Sequence, residues 1–317
     1  MPIATAKPGL LTLFAGVVAV LAIAGAIGWL LRRRVAHGDP NASIDYLIAQ
    51  VYEWWVMLVM LGFAFALGKV GVVVLFGFIS FLALREYVSL TYTRRGDHYA
   101  LAAVFFVFLP VQYLLVGLEW YGLYSLLIPV AAFLLLPIFA VASTDLTRFF
   151  ERTAKLHFGL MVCVYCISCV PALMTLRITG FEGANILLIV WLVLVVQGSD
   201  LVEYVSGRLA GSRLIAPMLS PSTTLEGVGG GMVGAMLIGT LLAWLTPFLF
   251  WQAALLALVV HLMGFFGRLV MAAVKRDRGV KDWGTRVEGQ AGVLDRLDSV
   301  IFAAPFYFHI VRYWWES

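Results

Sequence analysis

The sequence predicts an all-α, polytopic integral membrane protein with about nine to ten transmembrane helices, and three observations carry that prediction. Of its 317 residues, 62% are hydrophobic and only 13% charged, about half the charged share of a soluble domain. Apolar runs recur along the chain, close to the roughly 20 residues that cross a hydrocarbon core as a helix. These runs lack the alternation of a β-barrel, and lipid offers no partner to open backbone groups, so helices are the remaining solution.

The first run, Gly9 to Leu31, is too long for a signal peptide and ends in Arg32, Arg33 and Arg34 instead of a small-residue cleavage site, so it is read as a mature transmembrane helix. The next apolar stretch is interrupted at Gly68 and Lys69, which predicts a broken pair of spans at 54–67 and 70–85. A single long tilted helix there would invert the topology of everything that follows. Spans are then expected at 98–117, 122–143, 156–176, 184–206, 230–246, 249–268 and 295–312. Cys163, Cys166 and Cys169 fall at i, i+3 and i+6 within 156–176, on one helix face. They are read as small packing residues without a disulfide framework, the alternative being a metal site shared with His157.

Charge sets the orientation. With the N-terminus outside and 54–85 crossing twice, eighteen of the 22 Lys and Arg fall in inside loops, leaving Lys7, Lys69, Arg177 and Arg312 outside. Cytoplasmic loops hold such an excess, so loops 207–229 and 269–294 are expected on the cytoplasmic face of a bacterial-type inner membrane. The chain reads as one membrane domain, 1–317, with N-terminal helices to 155 and the motif-bearing helices and loops at 156–317. It shows no fixed-period repeat and no separate soluble domain.

Carboxylates inside an apolar run are functional candidates, because they are expensive there. Asp200 ends the run that begins at Ala184, and Glu203 lies one turn on, sharing its face. The alternative for this pair is assembly of the bundle through an ion pair with a lysine or arginine. The following loop, GRLAGSRLIAPMLSPSTTLEGVGGG from Gly207 to Gly231, reads as an irregular segment rich in donors that suits phosphates. Gly230 and Gly234 also make a small-residue packing step. From Lys275 to Ser299, six cations and five acids fall within twenty-five residues. Asp295 and Asp298 face the same way from the first turn of a helix, a plausible oxygen-ligand site for magnesium, with Lys275, Arg276, Lys281 and Arg286 offering charge to a polyphosphate.

These residues carry a resemblance. Lys275, Arg276, Lys281, Asp282, Gly284, Gly289, Gly292, Asp295, Arg296 and Asp298 resemble the C-terminal motif of the phosphatidate cytidylyltransferase (CDP-diacylglycerol synthase) family. Asp200, Gly207, Arg208, Ser220, Pro221, Thr224, Glu226 and Gly227 are similar to its earlier membrane-aspartate and Ser-Pro motif. Fainter similarity at LREYVSL (84–90) and FFERTAK (149–155) extends it to most of the chain. The sequence departs from the family at Thr223 (lysine there), Gln290 (histidine), Ala291 (glycine), Ala272 (serine) and Glu288. The aspartates are kept and part of the phosphate-contacting set is altered.

The resemblance implies a nucleotidyltransferase that moves a cytidylyl group from CTP to phosphatidate, giving CDP-diacylglycerol and pyrophosphate in phospholipid synthesis. It implies Mg2+, with or without a second cation, on Asp200, Asp282, Asp295 and Asp298. Lys281 joins Asp282, Asp295 and Asp298 in the catalytic set, and Ser220, Thr223, Thr224, Glu226, Lys275, Arg276 and Arg296 contact substrates. The expected partners are CTP, phosphatidate and bilayer lipid, with a homodimer as the assembly to test and no nucleic acid. Two other readings stand beside it: a diverged paralogue that takes another lipid phosphate or binds nucleotide without turnover, and a transporter built around Asp200 and the break at Gly68.

Overall fold

A computed structural model describes residues 8–34, 42–91, 95–142, 145–280, 283 and 292–316. Ten long helices account for most of them: α1 Pro8–Arg34, α2 Ala42–Ala66, α3 Gly68–Leu90, α4 His98–Gly117, α5 Tyr121–Val141, α6 Phe149–Thr175, α7 Ile186–Ala210, α8 Leu225–Leu241, α9 Phe250–Asp277 and α10 Val293–Trp315. Among the described residues seven helices, α1, α3 to α7 and α9, are long and apolar enough to span a bilayer, while α8 and the Trp54–Ala66 part of α2 are shorter apolar helices. The protein is an integral membrane protein. Phe106, Leu134, Ile138 and Leu237 lie exposed on the helices, as a lipid-facing surface requires.

Every expected span coincides with a helix, and the differences lie at the ends. α6 begins at Phe149 instead of 156, because FFERTAK folds as a helical turn whose Arg152 and Lys155 find partners. α9 runs on to Asp277, so Lys275 and Arg276 sit in its last turn, where cations suit the carbonyl end of the helix. Segment 207–231, read as irregular, contains an antiparallel hairpin of β1 Leu214–Ala216 and β2 Ser220–Thr224, with Leu214 opposite Thr224 and Ala216 opposite Ser220.

The chain divides into two compact units, Met1–Leu75 and Phe76–Ser317. In the first, α1 packs on α2; a Cβ on Gly28 would lie 3.1 Å from Ile48. The break expected at Gly68 is real: Gly68 has φ +69°, and a Cβ on Gly71 would come within 2.5 Å of the Ala64 carbonyl oxygen. α3 therefore restarts in close contact with the end of α2.

The second unit is organised around α7, α8, α9 and α10. Trp191 of α7 stacks on Tyr307 of α10 with centroids 5.2 Å apart and donates Nε1–H to the Gly239 carbonyl at 3.2 Å. α7 and α8 approach through glycines. A Cβ on Gly234 would stand 2.7 Å from Val202, and one on Gly230 would be 2.3 Å from Ser206 Oγ, which is the small-residue step read from the sequence. Cys163 and Cys169 are buried and Cys166 is half-buried, all as free thiols.

Candidate active site

The site forms where the polar ends of α7, α9 and α10 meet the hairpin. Asp200 and Glu203 stand one turn apart on α7, and both carboxylates close on the guanidinium of Arg268 from α9: Nη1 to Asp200 Oδ1 and Nη2 to Glu203 Oε2. Ser299 of α10 completes the group, its hydroxyl 3.0 Å from Arg268 Nη1 and donating to Asp200 Oδ2 at 2.7 Å. Glycine makes room for this crossing, since a Cβ on Gly267 would lie 2.7 Å from the Asp298 carbonyl oxygen and one on Gly264 would lie 3.3 Å from Ser299 Cβ. Asp200 and Glu203 are therefore ion-paired within the bundle, the alternative the sequence offered for them.

Asp295 and Asp298 begin α10. Asp295 Oδ1 accepts from Lys275 Nζ at 2.7 Å, and Oδ2 accepts from the backbone N–H of Trp283 at 2.8 Å and of Gly292 at 3.1 Å. One carboxylate thus ties the last turn of α9, the connecting segment and the first turn of α10 together. Asp298 Oδ1 accepts from the Ser299 N–H at 2.8 Å, and the side chain lines a cavity of about 250 Å³.

That cavity has a chemically mixed lining. Ser220, Thr223, Arg268, Lys275, Arg276 and Asp298 supply hydroxyls and charge, and Leu219, Phe265, Leu269 and Ala272 supply apolar surface. The hairpin places Ser220 and Thr223 there with their hydroxyls 2.7 Å apart. Thr224 caps α8 instead, accepting from the Gly227 N–H at 3.1 Å. Glu226, ahead of the expected crossing at 230–246, accepts from Ser212 Oγ at 2.6 Å and from the backbone N–H of Ser212 and Arg213. Those donors, Ser212 foremost, hold its carboxyl well below the usual carboxylate range. Its placement is that of a brace for the entry to the hairpin.

The structure thus gathers Ser220, Thr223, Lys275, Arg276 and Asp298 around the cavity, joins Asp295 to it through Lys275 and Asp200 through Arg268, and places Thr224 and Glu226 in the supporting loop. Arg296 is exposed and is not among the lining residues. Lys281 and Asp282, with Arg286, Gln290 and Ala291, lie outside the described residues.

For magnesium, the carboxylates divide. Asp298 lines the cavity with Oδ2 uncommitted to any donor among the described residues; Asp295 shares Oδ1 only with the mobile ammonium of Lys275; both oxygens of Asp200 are engaged by Arg268 and Ser299. Asp298 and Asp295 suit a hard cation that keeps waters and substrate phosphates in its shell. Asp200 is held by a cation of the chain itself.

Three residues here escape sequence reading. Arg268 stands in an apolar run that does not name its partners, 65 and 68 positions away. Glu86 of α3 accepts from the backbone N–H of Val293 at 2.9 Å and of Leu294 at 3.0 Å, fixing the start of α10. Tyr87 packs 5.9 Å from the Trp283 ring, donates to the Lys155 carbonyl at 3.0 Å, and needs Gly159, where a Cβ would be 2.4 Å from its ring. The only sequence signal for Glu86 and Tyr87 was the faint similarity of LREYVSL.

The model of the cytidylyltransferase family matches residues 48–314. The chain belongs to this family. Among curated relatives, uncharacterized protein YnbB of Escherichia coli K12 is 33% identical over 290 residues, 90% of this chain and 93% of that one. A phosphatidate cytidylyltransferase of Synechocystis is 36% identical over 118 residues, covering 37% of this chain and 40% of its own length. The one from Staphylococcus saprophyticus is 31% identical over 158 residues, 48% and 60%. The likeness to these two named enzymes therefore spans less than two thirds of their length, while that to YnbB spans almost the whole of both chains.

Proposed function

We propose that this member of the cytidylyltransferase family is a nucleotidyltransferase that moves a cytidylyl group from CTP to phosphatidate, producing CDP-diacylglycerol and pyrophosphate. The observation that carries the reading is the mixed lining of the cavity, in which Ser220, Thr223, Lys275 and Arg276 are suited to phosphates and Leu219, Phe265, Leu269 and Ala272 to the glycerol end of a lipid held in the bilayer. Membership of the family and the partial likeness to phosphatidate cytidylyltransferases support the same choice.

An oxygen of the phosphatidate monoester forms a bond to the α-phosphorus of CTP as the bond to the β-phosphate oxygen breaks, and pyrophosphate leaves with that electron pair. The attacking oxygen is already anionic, so no general base is needed. The barrier lies in bringing two polyanions together in line, which fixed cations lower. Lys275 and Arg276 supply that charge, Lys281 extends it, and Ser220 and Thr223 orient phosphate oxygens. Asp295 and Asp298, with Asp282, would hold Mg2+, which neutralises charge on the triphosphate when bound. As nucleotide enters, Lys275 passes from Asp295 to a phosphate, freeing a carboxylate oxygen. The eighteen-to-four division of cations supports an inner-membrane protein with this site on the cytoplasmic side.

The test is pyrophosphate release by purified protein in detergent, with phosphatidate, Mg2+ and each of the four nucleoside triphosphates, beside Asp295→Asn. Turnover with CTP alone, lost in the variant, is the expected result. Absence of turnover by folded protein refutes the activity. A second reading, a paralogue acting on another lipid phosphate, rests on the departures from the family pattern at Thr223 and Gln290. It predicts turnover only when phosphatidate is replaced by a different phosphorylated lipid.

A further inference from the structure

The Arg268 cluster has the composition of a metal centre. One ligand atom from each of Asp200, Glu203 and His261 lies within 4.8 Å of the other two, the single such group among the described residues. His261 is 1% exposed. Its Nδ1 lies 3.0 Å from Ser199 Oγ, and its Nε2 faces Glu203 Oε2 at 3.6 Å with no side-chain hydrogen-bond partner. A buried imidazole whose other nitrogen is pinned by a hydrogen bond is the arrangement found at histidine metal ligands. The cradle is also kept open on its far side, since a Cβ on Gly231 would be 2.6 Å from Nε2 and 2.9 Å from Glu203 Cβ.

What stands between the carboxylates instead is the guanidinium, bridging Asp200 and Glu203 with one nitrogen each and touching Ser299. Two carboxylates in an apolar bundle need a cation, and arginine provides one that stays charged and spans both acceptors with its planar fork. We propose that Arg268 is a tethered cation occupying an Asp200–Glu203–His261 ligand set that would otherwise take a divalent metal ion. The same guanidinium lines the cavity beside Lys275 and Arg276, so the chain answers these two carboxylates with a cation that cannot dissociate. The inference stands on the cluster alone and does not require the activity proposed above, because its test reads metal binding.

Removing the arginine should uncover the metal site. A set of two carboxylates and one imidazole suits Zn2+. The experiment follows thermal unfolding of the full-length protein in detergent, in chelator and with zinc, for the wild type, Arg268→Ala, and Arg268→Ala with His261→Ala. The wild type is expected to be indifferent to zinc. Arg268→Ala should melt early in chelator and gain roughly 5 °C or more with zinc in excess, with one additional bound zinc per chain by metal analysis. The double variant should melt early and gain nothing. Equal zinc responses of the wild type and Arg268→Ala overturn the proposal. So does a zinc gain that survives loss of His261, or failure of Arg268→Ala to fold when zinc is supplied throughout expression and purification.

Discussion

Glu86 offers a measurable link between α3 and the start of α10. Replacing it with alanine removes both acceptors from the Val293 and Leu294 amides, now 2.9 and 3.0 Å from the carboxylate. Hydrogen bonds to a charged partner contribute about 1.5–3 kcal/mol each, but these amides belong to the first turn of a helix and Glu86 is only half-buried. Water recovers much of the loss, so the net cost is about 2 kcal/mol, the upper end for a lost N-terminal cap. That corresponds to roughly a 30-fold change in a local equilibrium. Glu86→Gln should lose nearly as much, because its amide nitrogen sets a donor against a donor. Hydrogen exchange at Val293 and Leu294 should accelerate about 30-fold if opening is local. CTP-dependent pyrophosphate release should fall as well, by less than exchange rises because most molecules keep the turn closed, since the same turn carries Asp295 and its bonds to Lys275 and Trp283. Unchanged exchange and turnover in both variants would refute the reasoning.

Gly231→Ala should destabilise by about 1–3 kcal/mol, as overpacking against His261 and Glu203 does, whereas Gly229→Ala, with open space at its Cβ, should be neutral or slightly stabilising; paired melting curves decide it. Arg152 is 5% exposed and joins Asp97 at 2.9 Å and Asp145 at 2.8 Å. Arg152→Met takes the cation away from buried Asp97 and from Asp145 and should cost about 3–5 kcal/mol, read as a lost folded fraction after extraction. Asp145 lies outside the crossings, and the Thr147 N–H and Arg152 hold its carboxyl below the ordinary value. Its contribution is therefore present above the unfolded pKa and is lost as pH falls through the depressed folded value. Asp145→Asn should flatten the acid side of the stability profile below about pH 4 and leave neutral stability reduced.

Sequence and structure agree most closely where the signal is local. Hydropathy marks each helix, Gly68 marks the break, Gly230 and Gly234 mark a close crossing, and Asp295 and Asp298 are placed by their spacing on one helical turn. The family likeness also pointed to Ser220 and Thr223, and the hairpin delivers both to the cavity. What could not be read was partnership across the fold. Arg268 serves Asp200 and Glu203 from another helix; its place as the lone charge in the apolar stretch 250–274 marks it as unusual but does not name its partners. Glu86 stands over 200 positions from the amides it holds. The hairpin was missed because its strands are short, with Pro217 directly after the first and Pro221 inside the second, so neither shows the alternation that betrays a longer strand.

Three of the helices contain a wider turn: Val104–Phe108 in α4, Leu127–Ala132 in α5 and Met161–Cys166 in α6. Each such turn takes up one residue more than an α-turn, so side chains beyond it are displaced by about 100° around the axis relative to an uninterrupted helix. In α6 this sets the phase between Arg152, bound at one end to Asp97, and Tyr165, bound toward the other to His309 at 3.0 Å. The helix therefore has a preferred place to lose a residue. A one-residue deletion in 153–160 would swing one of these partners off its face, whereas a deletion within 161–164 is absorbed by tightening the wide turn to an α-turn, which leaves the helix faces on either side in phase.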